Sequence, residues 1–291
     1  MENKYKKIFN TNKLGMLTIK AKNPGKVLTI VACTHGDEIY GMEIFDYLIN
    51  EFILEKKIIS GTINLLIGNK EAYLKGKKIV DFDFNRIWGF EDKYKGSYEY
   101  KRANEIKEIL YKSDYLIDLH STTLKSIPMI IPVGKQDDNL IDCFSGTYVL
   151  KNLIEFLNGV ALAKYAKLKN PNLKAIVIEA GQNNDPKTIE DGKQNIIKFL
   201  GYYGFIQNNT NIIKTKKIYL YAKKCIHAKT MNVKFLYSES PQSFQKIKKG
   251  TDILQDGENV VKADKDYIII MPTTPRYIGE ELGYLCESES E

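Results

Sequence analysis

The chain has 291 residues, of which 43% are hydrophobic and 27% charged, an ordinary composition for a globular protein with a sizeable core. No apolar stretch reaches the roughly 18 residues that a membrane span needs, and no apolar segment follows the basic N-terminal residues. We therefore expect neither a transmembrane helix nor a secretory signal. The net charge is +7, but all except three of the 43 basic residues are lysines spread along the whole chain. Without clustering beside aromatic residues this excess does not predict nucleic-acid binding, although it would attract small anions.

The four cysteines indicate a reducing compartment. They are Cys33, Cys143, Cys225 and Cys286, and no two of them form a C-x-x-C pair. We expect free thiols in the cytoplasm rather than disulfides or a cysteine-based metal site.

Short apolar runs alternate with amphipathic stretches through the first 200 residues. The expected strands cover residues 27–33, 62–67, 115–119, 129–133 and 175–178. The expected helices cover residues 38–50, 99–111, 139–157 and 187–200. This alternation predicts an α/β domain with a mostly parallel sheet flanked by helices. In such sheets ligands bind beyond the carboxyl ends of the strands.

The pattern changes near residue 208, after which short strands are divided by turn residues and no helical stripe appears. These strands are expected near residues 218–221, 233–237, 252–254 and 267–271. We predict a catalytic α/β domain over residues 1–207 and a smaller β-rich domain over residues 208–291.

Two of the three histidines lie at the carboxyl ends of expected strands, where ligands bind in this class of fold. His35 and Glu38 follow the first strand in Thr34-His-Gly-Asp-Glu38, and His120 ends the run that begins at Tyr115. Two histidines and one carboxylate are the ligand set of a catalytic zinc site, which keeps its fourth position for water. The third histidine, His227, has no comparable partners in its segment and is expected to be structural.

Further segments carry a resemblance to a known family. In chain order they are Thr34-His-Gly-Asp-Glu38, Asn69-x-x-Ala72 followed by Asp83-Phe-Asn85-Arg86, Asp118-Leu-His120-Ser-Thr-Thr123, and Glu179-Ala-Gly181. Together they resemble the succinylglutamate desuccinylase/aspartoacylase family of zinc-dependent deacylases. The resemblance implies a zinc carboxypeptidase-like fold, and the β-rich tail agrees with the family's C-terminal domain.

The same resemblance implies roles for individual residues. His35, Glu38 and His120 would hold one Zn²⁺ per chain, which lowers the pKa of a bound water to about 7. Glu179 would be the general base and then the general acid of the reaction. Asp83 would orient the first zinc histidine.

Asn85 and Arg86 resemble the pair of residues that binds the carboxylate of the substrate in this family. A guanidinium fork binds a carboxylate through two hydrogen bonds, a geometry that lysine cannot reproduce. Only three arginines occur in this lysine-rich chain, so the arginine at position 86 fits such a role. Trp88, the only tryptophan, is expected to pack in the core near this loop.

Three departures from the family pattern concern the substrate. Lys78 stands where the family usually has an arginine that polarises the scissile carbonyl, and its neighbour Lys77 is the alternative for that role. Tyr165 and Lys169 resemble a substrate-contacting tyrosine and arginine, again with lysine replacing arginine. The C-terminal tyrosine that closes some family sites would be Tyr277, Tyr284 or neither.

The resulting hypothesis is a cytoplasmic zinc-dependent hydrolase that cleaves the amide bond of an N-acyl amino acid or a similar small anion. A metallocarboxypeptidase acting on short peptides would use the same machinery. A zinc-containing binding protein is the third alternative, although it would have no need of Glu179 beside the three ligands. No nucleic acid or membrane is expected as a partner, and the oligomeric state is left open, a homo-oligomer included.

Overall fold

The computed structural model describes residues 9, 11–53, 56–122, 126–136, 138–207 and 214–289. The chain divides into two compact units, Met1–Thr147 with Gly159–Lys217 and Tyr148–Asn158 with Ile218–Glu291. The domain boundary expected after residue 207 falls on residues 208–213, outside the described part. So do the basic N-terminal residues and Thr123 of the third motif.

The first unit is built on one sheet. Its strands are β1 (Met16–Lys20), β2 (Asn23–Ala32), β3 (Ser60–Ile67), β4 (Tyr115–Thr122), β5 (Met129–Pro132) and β7 (Lys174–Gln182), whereas β6 (Tyr148–Lys151) belongs to the second unit. Their spatial order is β1–β3–β2–β4–β7–β5. The central pairs β3–β2, β2–β4 and β4–β7 are parallel, and the outer pairs β1–β3 and β7–β5 are antiparallel. The carboxyl ends of β2, β4 and β7 therefore meet at one edge of the sheet.

Helices accompany these strands. They are α1 (Tyr40–Leu48), α2 (Lys70–Leu74), α3 (Tyr98–Tyr111), α4 (Asp138–Asp142), α5 (Leu162–Lys169) and α6 (Pro186–Tyr202). Side-chain caps fix where several of them begin, because the first turn of a helix has unpaired N–H groups. Ser97 accepts a hydrogen bond from the backbone of Tyr100, and Asp185 caps α6, which starts with Pro186.

The core of the first unit lies on the central strands. Residues 28–32 of β2 are completely buried, as expected for a parallel strand covered on both faces. Trp88 is also buried, which confirms its predicted place in the core, and its ring packs against Phe84.

The second unit is made of strands. Besides β6 they are β8 (Ile218–His227), β9 (Val233–Phe235), β10 (Gln245–Ile247), β11 (Asp252–Asp256), β12 (Asn259–Lys262), β13 (Tyr267–Ile270) and β14 (Glu281–Ser288). The strands β6–β8–β14–β13–β10 are hydrogen-bonded neighbours in this order, and β12–β11–β9 form a separate three-stranded sheet. All of these pairs except β6–β8 are antiparallel, and Ile253, Leu254 and Ile269 are buried between them.

The helix expected over residues 139–157 is wrong. The helix α4 ends at Asp142, and the chain then forms β6 and a 3₁₀ turn at Leu153–Phe156. The apolar residues of β6 pair with β8 instead of completing a helical stripe. Asn152 has a left-handed backbone (φ 64°), which no α-helix accommodates, so tertiary pairing overrides the apparent periodicity.

The expected fold class is confirmed, because the chain is a mixed α/β protein with a mostly parallel central sheet and an antiparallel C-terminal β region. In the part of the chain that the structure describes, no helix is both long and apolar enough to cross a membrane.

Candidate metal centre

The sheet brings three functional strand ends side by side. The Thr34–Glu38 turn follows β2, His120 lies near the end of β4, and Glu179 lies on β7 directly beside it in the strand register. Cys33 has a positive φ of 53°, and the chain turns sharply there out of β2. These placements follow from a parallel sheet, whose carboxyl ends share one edge.

Gly36 fits this turn because its neighbours leave no room for a side chain. A Cβ at this position would lie 2.2 Å from the backbone of Ala72 and Tyr73 and 2.5 Å from the carbonyl oxygen of Lys77. The N–H of Gly36 also donates to the carbonyl of Lys78. The close approach ties the turn that holds His35 and Glu38 to the segment that carries Lys78.

Gly36→Ala is therefore expected to destabilise the protein by about 1–3 kcal/mol, the range for overpacking, because rigid backbone must move. Denaturant unfolding of the purified variant measures this loss. Gly89→Ala is the matched control, since a Cβ there would make only ordinary contacts, to Val160 at 3.4 Å and to Glu91 at 3.8 Å. Equal unfolding midpoints for the two variants would contradict the expected clash.

The side chains of His35, Glu38 and His120 converge on one point. His35 Nδ1 lies 2.6 Å from one oxygen of Glu38, and His120 Nδ1 lies 2.8 Å from the other. One ligand atom from each of the three residues lies within 4.8 Å of the other two, and all three residues are buried. Two imidazole nitrogens and a carboxylate oxygen facing one another form a donor set that suits a tetrahedral cation with one further position. The cluster could thus bind a metal ion.

A second carboxylate lies close to the Nε2 atom of each imidazole. His35 Nε2 lies 3.1 Å from Asp83, and His120 Nε2 lies 3.2 Å from Asp118, although this second pair is not aligned for a hydrogen bond. Each ring therefore has its Nε2 atom toward an acid and its Nδ1 atom toward Glu38. Carboxylates in this outer position orient histidine ligands and fix their tautomer.

Asp118 stands in the third motif, but the sequence analysis assigned it no role. It is completely buried and accepts a 2.7 Å hydrogen bond from the hydroxyl of Thr34. The signal was present, because residues two apart in a strand share a face, and Asp118 stands two positions before His120.

Asn183 was missed as well. Its side chain hydrogen-bonds the hydroxyl of Ser121 and donates to the carbonyl of Asp37, and these two residues are chain neighbours of His120 and Glu38. The backbone N–H of Ser121 also donates to the Glu38 carboxylate at 3.3 Å. No spacing rule connects the loop after β7 with the turn after β2, so only the structure shows this link.

The buried charges shift one another's pKa values. Burial lowers the pKa of His120, but Asp118 and Glu38 raise it more, and the result is well above the ordinary value. Burial raises the pKa of Glu38, yet His35 and His120 hold it far below its usual range. The cluster thus strongly favours positive charge beside the Glu38 carboxylate.

Glu179 behaves differently, and its pKa lies above the usual range. Burial is the main cause and Glu38 adds to it, whereas His120, His35 and Lys78 act in the opposite direction. A half-buried carboxyl with a raised pKa, one strand away from His120, has the character of a proton-transfer group.

The charge of Lys78 acts on this group of residues. Its ammonium lowers the pKa of His35, Asp83 and Glu179, so it lies within electrostatic range of all three. Lys78 is half-buried, whereas Lys77 is exposed. Burial and charge therefore favour Lys78 over Lys77 as the cation that acts on the cluster.

Asn85 and Arg86 follow Asp83 in the same segment. The side-chain oxygen of Asn85 accepts a 3.0 Å hydrogen bond from the backbone of Leu162 at the start of α5, which leaves its NH₂ group as the donor end. Arg86 contacts the Asn85 carbonyl at 3.1 Å, and its charge helps to lower the pKa of Asp83, against the effect of burial. Both side chains are half-buried beside the carboxylate that holds His35.

The structure places Tyr165 and Lys169 on α5. Within the described part of the chain, the ring contacts of Tyr165 are to Trp88, Phe90 and Tyr111, and the Lys169 ammonium lies 5.7 Å above the Tyr165 ring. Lys169 is exposed. Their role in substrate binding stays a prediction.

The two C-terminal tyrosines lie in different surroundings. Tyr284 is buried in β14 opposite Ile270, and Tyr277 is 42% exposed in the loop before β14. Whether either tyrosine closes the site stays a prediction.

Fold and site together define the class: a mixed α/β protein with a histidine–carboxylate cluster, able to bind a metal, at the carboxyl edge of its sheet. The sequence model described as "Succinylglutamate desuccinylase/Aspartoacylase catalytic domain" matches residues 24–199, more than half of the chain. The chain belongs to the succinylglutamate desuccinylase/aspartoacylase family.

Individual relatives agree with this membership. A probable aspartoacylase of Prochlorococcus marinus (strain MIT 9515) is 27% identical over 290 residues, covering 89% of this chain and 90% of the relative. The fold is similar to that of a succinylglutamate desuccinylase from Vibrio parahaemolyticus (TM-score 0.77, 15% identity, 94% of this chain and 86% of that one). It is also similar to the Vibrio cholerae desuccinylase (TM-score 0.76, 17% identity, 93% and 84%).

Proposed function

We propose that this protein is a zinc-dependent hydrolase that removes the acyl group from an N-acyl amino acid. The observation that carries the proposal is the convergence of His35, Glu38 and His120 one strand away from Glu179. A binding protein needs a metal cluster but no proton-transfer group, so the pairing of the two supports catalysis. Membership of the deacylase family supports the reaction type.

His35, Glu38 and His120 would hold the Zn²⁺ ion through two imidazole nitrogens and a carboxylate oxygen. Bound there, the ion would lower the pKa of a water molecule and polarise the amide carbonyl. Asp83 and Asp118 would keep the two imidazoles turned toward the ion.

Glu179 would move the proton in both halves of the reaction. As a carboxylate it accepts a proton from the attacking water, and as a carboxylic acid it delivers that proton to the leaving amine nitrogen. Its raised pKa suits this exchange, since efficient acid–base catalysis needs a pKa close to the working pH. Lys78 would place its ammonium near the oxygen that becomes negative when the carbonyl is attacked.

Asn85 and Arg86 would bind the free carboxylate of the substrate. The guanidinium group can form two parallel hydrogen bonds to it, and the Asn85 NH₂ group adds a third donor. Because Leu162 fixes the Asn85 oxygen, the orientation of that donor is set before substrate arrives. A small anionic N-acyl amino acid is thus the proposed substrate class.

A substrate panel tests the proposal. Zinc-loaded protein is expected to release free amino acid from at least one of a set of N-acetyl, N-succinyl and N-formyl amino acids, and chelator-treated protein from none. Turnover confined to short peptides with a free C-terminus would point instead to a metallocarboxypeptidase. Stoichiometric zinc without turnover of either substrate class would point to a binding protein.

The metal ligands are tested separately. His120→Ala removes one of three ligands, so elemental analysis is expected to show most of the zinc lost. His227→Ala is the matched control, because this histidine lies on β8 in the second unit and should leave the zinc content unchanged. Full zinc content together with wild-type activity in His120→Ala would remove His120 from the site.

A further inference from the structure

Glu99 is a completely buried carboxylate that the catalytic scheme leaves unused. It lies in the first turn of α3, and no ion pair to it occurs among the described residues. Its first oxygen accepts hydrogen bonds from the Asn69 side chain at 3.1 Å and from the backbones of Val80 at 2.8 Å and Asp81 at 3.3 Å. Its second oxygen accepts from Asp81 at 3.1 Å and from Phe82 at 3.3 Å. Four donors therefore surround one carboxylate.

The stretch that Glu99 holds has no regular structure of its own. Residues 78–86 form neither helix nor strand, so their backbone conformation depends on contacts with other parts of the chain. Lys78 precedes the held residues and Asp83 follows them. Each of these two side chains acts on the metal cluster, Lys78 through its charge and Asp83 through its contact with His35 Nε2.

Other contacts fix the same segment on both sides. Asp81 accepts a 2.7 Å hydrogen bond from the backbone of Tyr98, the residue before Glu99. The Lys78 carbonyl accepts a hydrogen bond from the N–H of Gly36, and the Asn69 side chain caps α2 by accepting one from the N–H of Ala72. Glu99 thus joins α3, the cap of α2 and the irregular segment at a single buried point.

The use of both oxygens distinguishes a carboxylate from its amide. Glutamine at this position would direct its NH₂ group at the N–H groups of Asp81 and Phe82, or at those of Val80 and Asp81 if it were flipped. Two donors would then face each other without water between them, which costs free energy in a buried site. Neither orientation of glutamine reproduces all the bonds of Glu99.

We propose that Glu99 is a positioning residue, which sets the backbone of residues 80–82 so that Asp83 and Lys78 are directed at the metal cluster. The proposal rests on the proposed zinc-dependent hydrolysis. It predicts two effects of Glu99→Gln that pass through different residues: weaker zinc binding through Asp83 and slower catalysis through Lys78.

Zinc affinity is measured first, by competition with a chelator, and needs no substrate. Glu99→Gln is expected to weaken zinc binding by about 10- to 100-fold, the range found when partners of metal-ligating histidines are removed. In an Asp83→Asn background the same change should have little further effect, because the residue through which it acts is already altered. Equal losses in the two backgrounds, or no loss in the wild type, would overturn the proposal.

Two variants control for other causes. Glu105→Gln removes a carboxylate from the same helix, but Glu105 contacts the Arg102 side chain rather than residues 80–82, so zinc affinity should stay as in the wild type. Glu99→Asp keeps the charge and shortens the side chain by one methylene, so it cannot reach all four donors. This variant is also expected to weaken zinc binding. If Glu99→Gln fails to fold, Glu99→Asp replaces it in the comparison of the wild-type and Asp83→Asn backgrounds. Wild-type zinc affinity in Glu99→Asp would also count against the proposal.

The effect on kcat is measured at saturating zinc, with whichever substrate the panel identifies. Glu99→Gln should lower kcat in the wild type and much less in a Lys78→Met background. Effects that multiply in full would show that Glu99 does not act through Lys78. If no substrate is turned over, the proposed function fails while the zinc measurement still decides the role of Glu99.

Discussion

Replacement of Glu179 by glutamine is expected to lower kcat by about 10²–10⁴-fold, the range associated with the loss of a general acid–base group. Glutamine keeps the shape of the side chain and can still hydrogen-bond, but it cannot accept a proton from water. Glu179 is outside the His35–Glu38–His120 cluster, so the zinc content should be unchanged. Steady-state kinetics and elemental analysis on the same preparation measure both quantities.

Glu190→Gln is the matched control for this change. Glu190 is an exposed carboxylate on α6, and its contact is to Gln194 on the same helix. The control variant loses one negative charge without altering the sheet edge, so its kcat should equal that of the wild type. A nearly normal kcat in Glu179→Gln would mean that another group moves the proton.

The central part of the site could be anticipated from the sequence because it depends on strand topology. His35, Glu38 and His120 each follow or end an apolar run, and parallel strands place such positions at one edge. The adjacency of His120 and Glu179 follows from the same rule, since β4 and β7 are neighbours in the sheet. Strand ends are thus informative without any knowledge of side-chain packing.

The surroundings of the cluster could be anticipated much less well. Residues 78–86 are irregular, so the direction of Lys78 depends on the hydrogen bond that Gly36 donates to its carbonyl and on the one that Val80 donates to Glu99. No periodicity in the sequence reveals either contact. For the same reason the sequence leaves the choice between Lys77 and Lys78 open. The failed helix over residues 139–157 has a related cause, because pairing of β6 with β8 is a tertiary contact that local sequence does not encode.

The buried acids around the histidines also explain why so many charged side chains persist in one small region. Asp83, Asp118 and Glu38 together surround two imidazoles, and each carboxylate is within 3.2 Å of a ring nitrogen. Burying such charged groups costs free energy unless they are paired. A divalent cation held by the inward-facing atoms would offset the excess of negative charge, which is a further argument for a metal at this point.

Arg86→Ala is expected to reduce kcat/KM sharply for substrates with a free carboxylate. Loss of one partner of a buried, hydrogen-bonded charge pair costs about 2–5 kcal/mol, which corresponds to about 30-fold to several thousand-fold in kcat/KM. The half-buried position of Arg86, beside Asn85 and Asp83, supports such a contact. Arg86→Lys should recover only part of the loss, because an ammonium group cannot form the two parallel hydrogen bonds of a guanidinium.

The substrate itself supplies the control for this variant. Methyl esters and amides of the same N-acyl amino acids lack the carboxylate, so Arg86→Ala should affect their hydrolysis far less. Zinc content is measured in parallel, since the charge of Arg86 also acts on Asp83 and hence on the residue that orients His35. If the wild-type enzyme hydrolyses free and capped substrates equally well, Arg86 is not an anchor for a carboxylate. The assignment to N-acyl amino acids would then fall with it, and a zinc hydrolase of another specificity would be left.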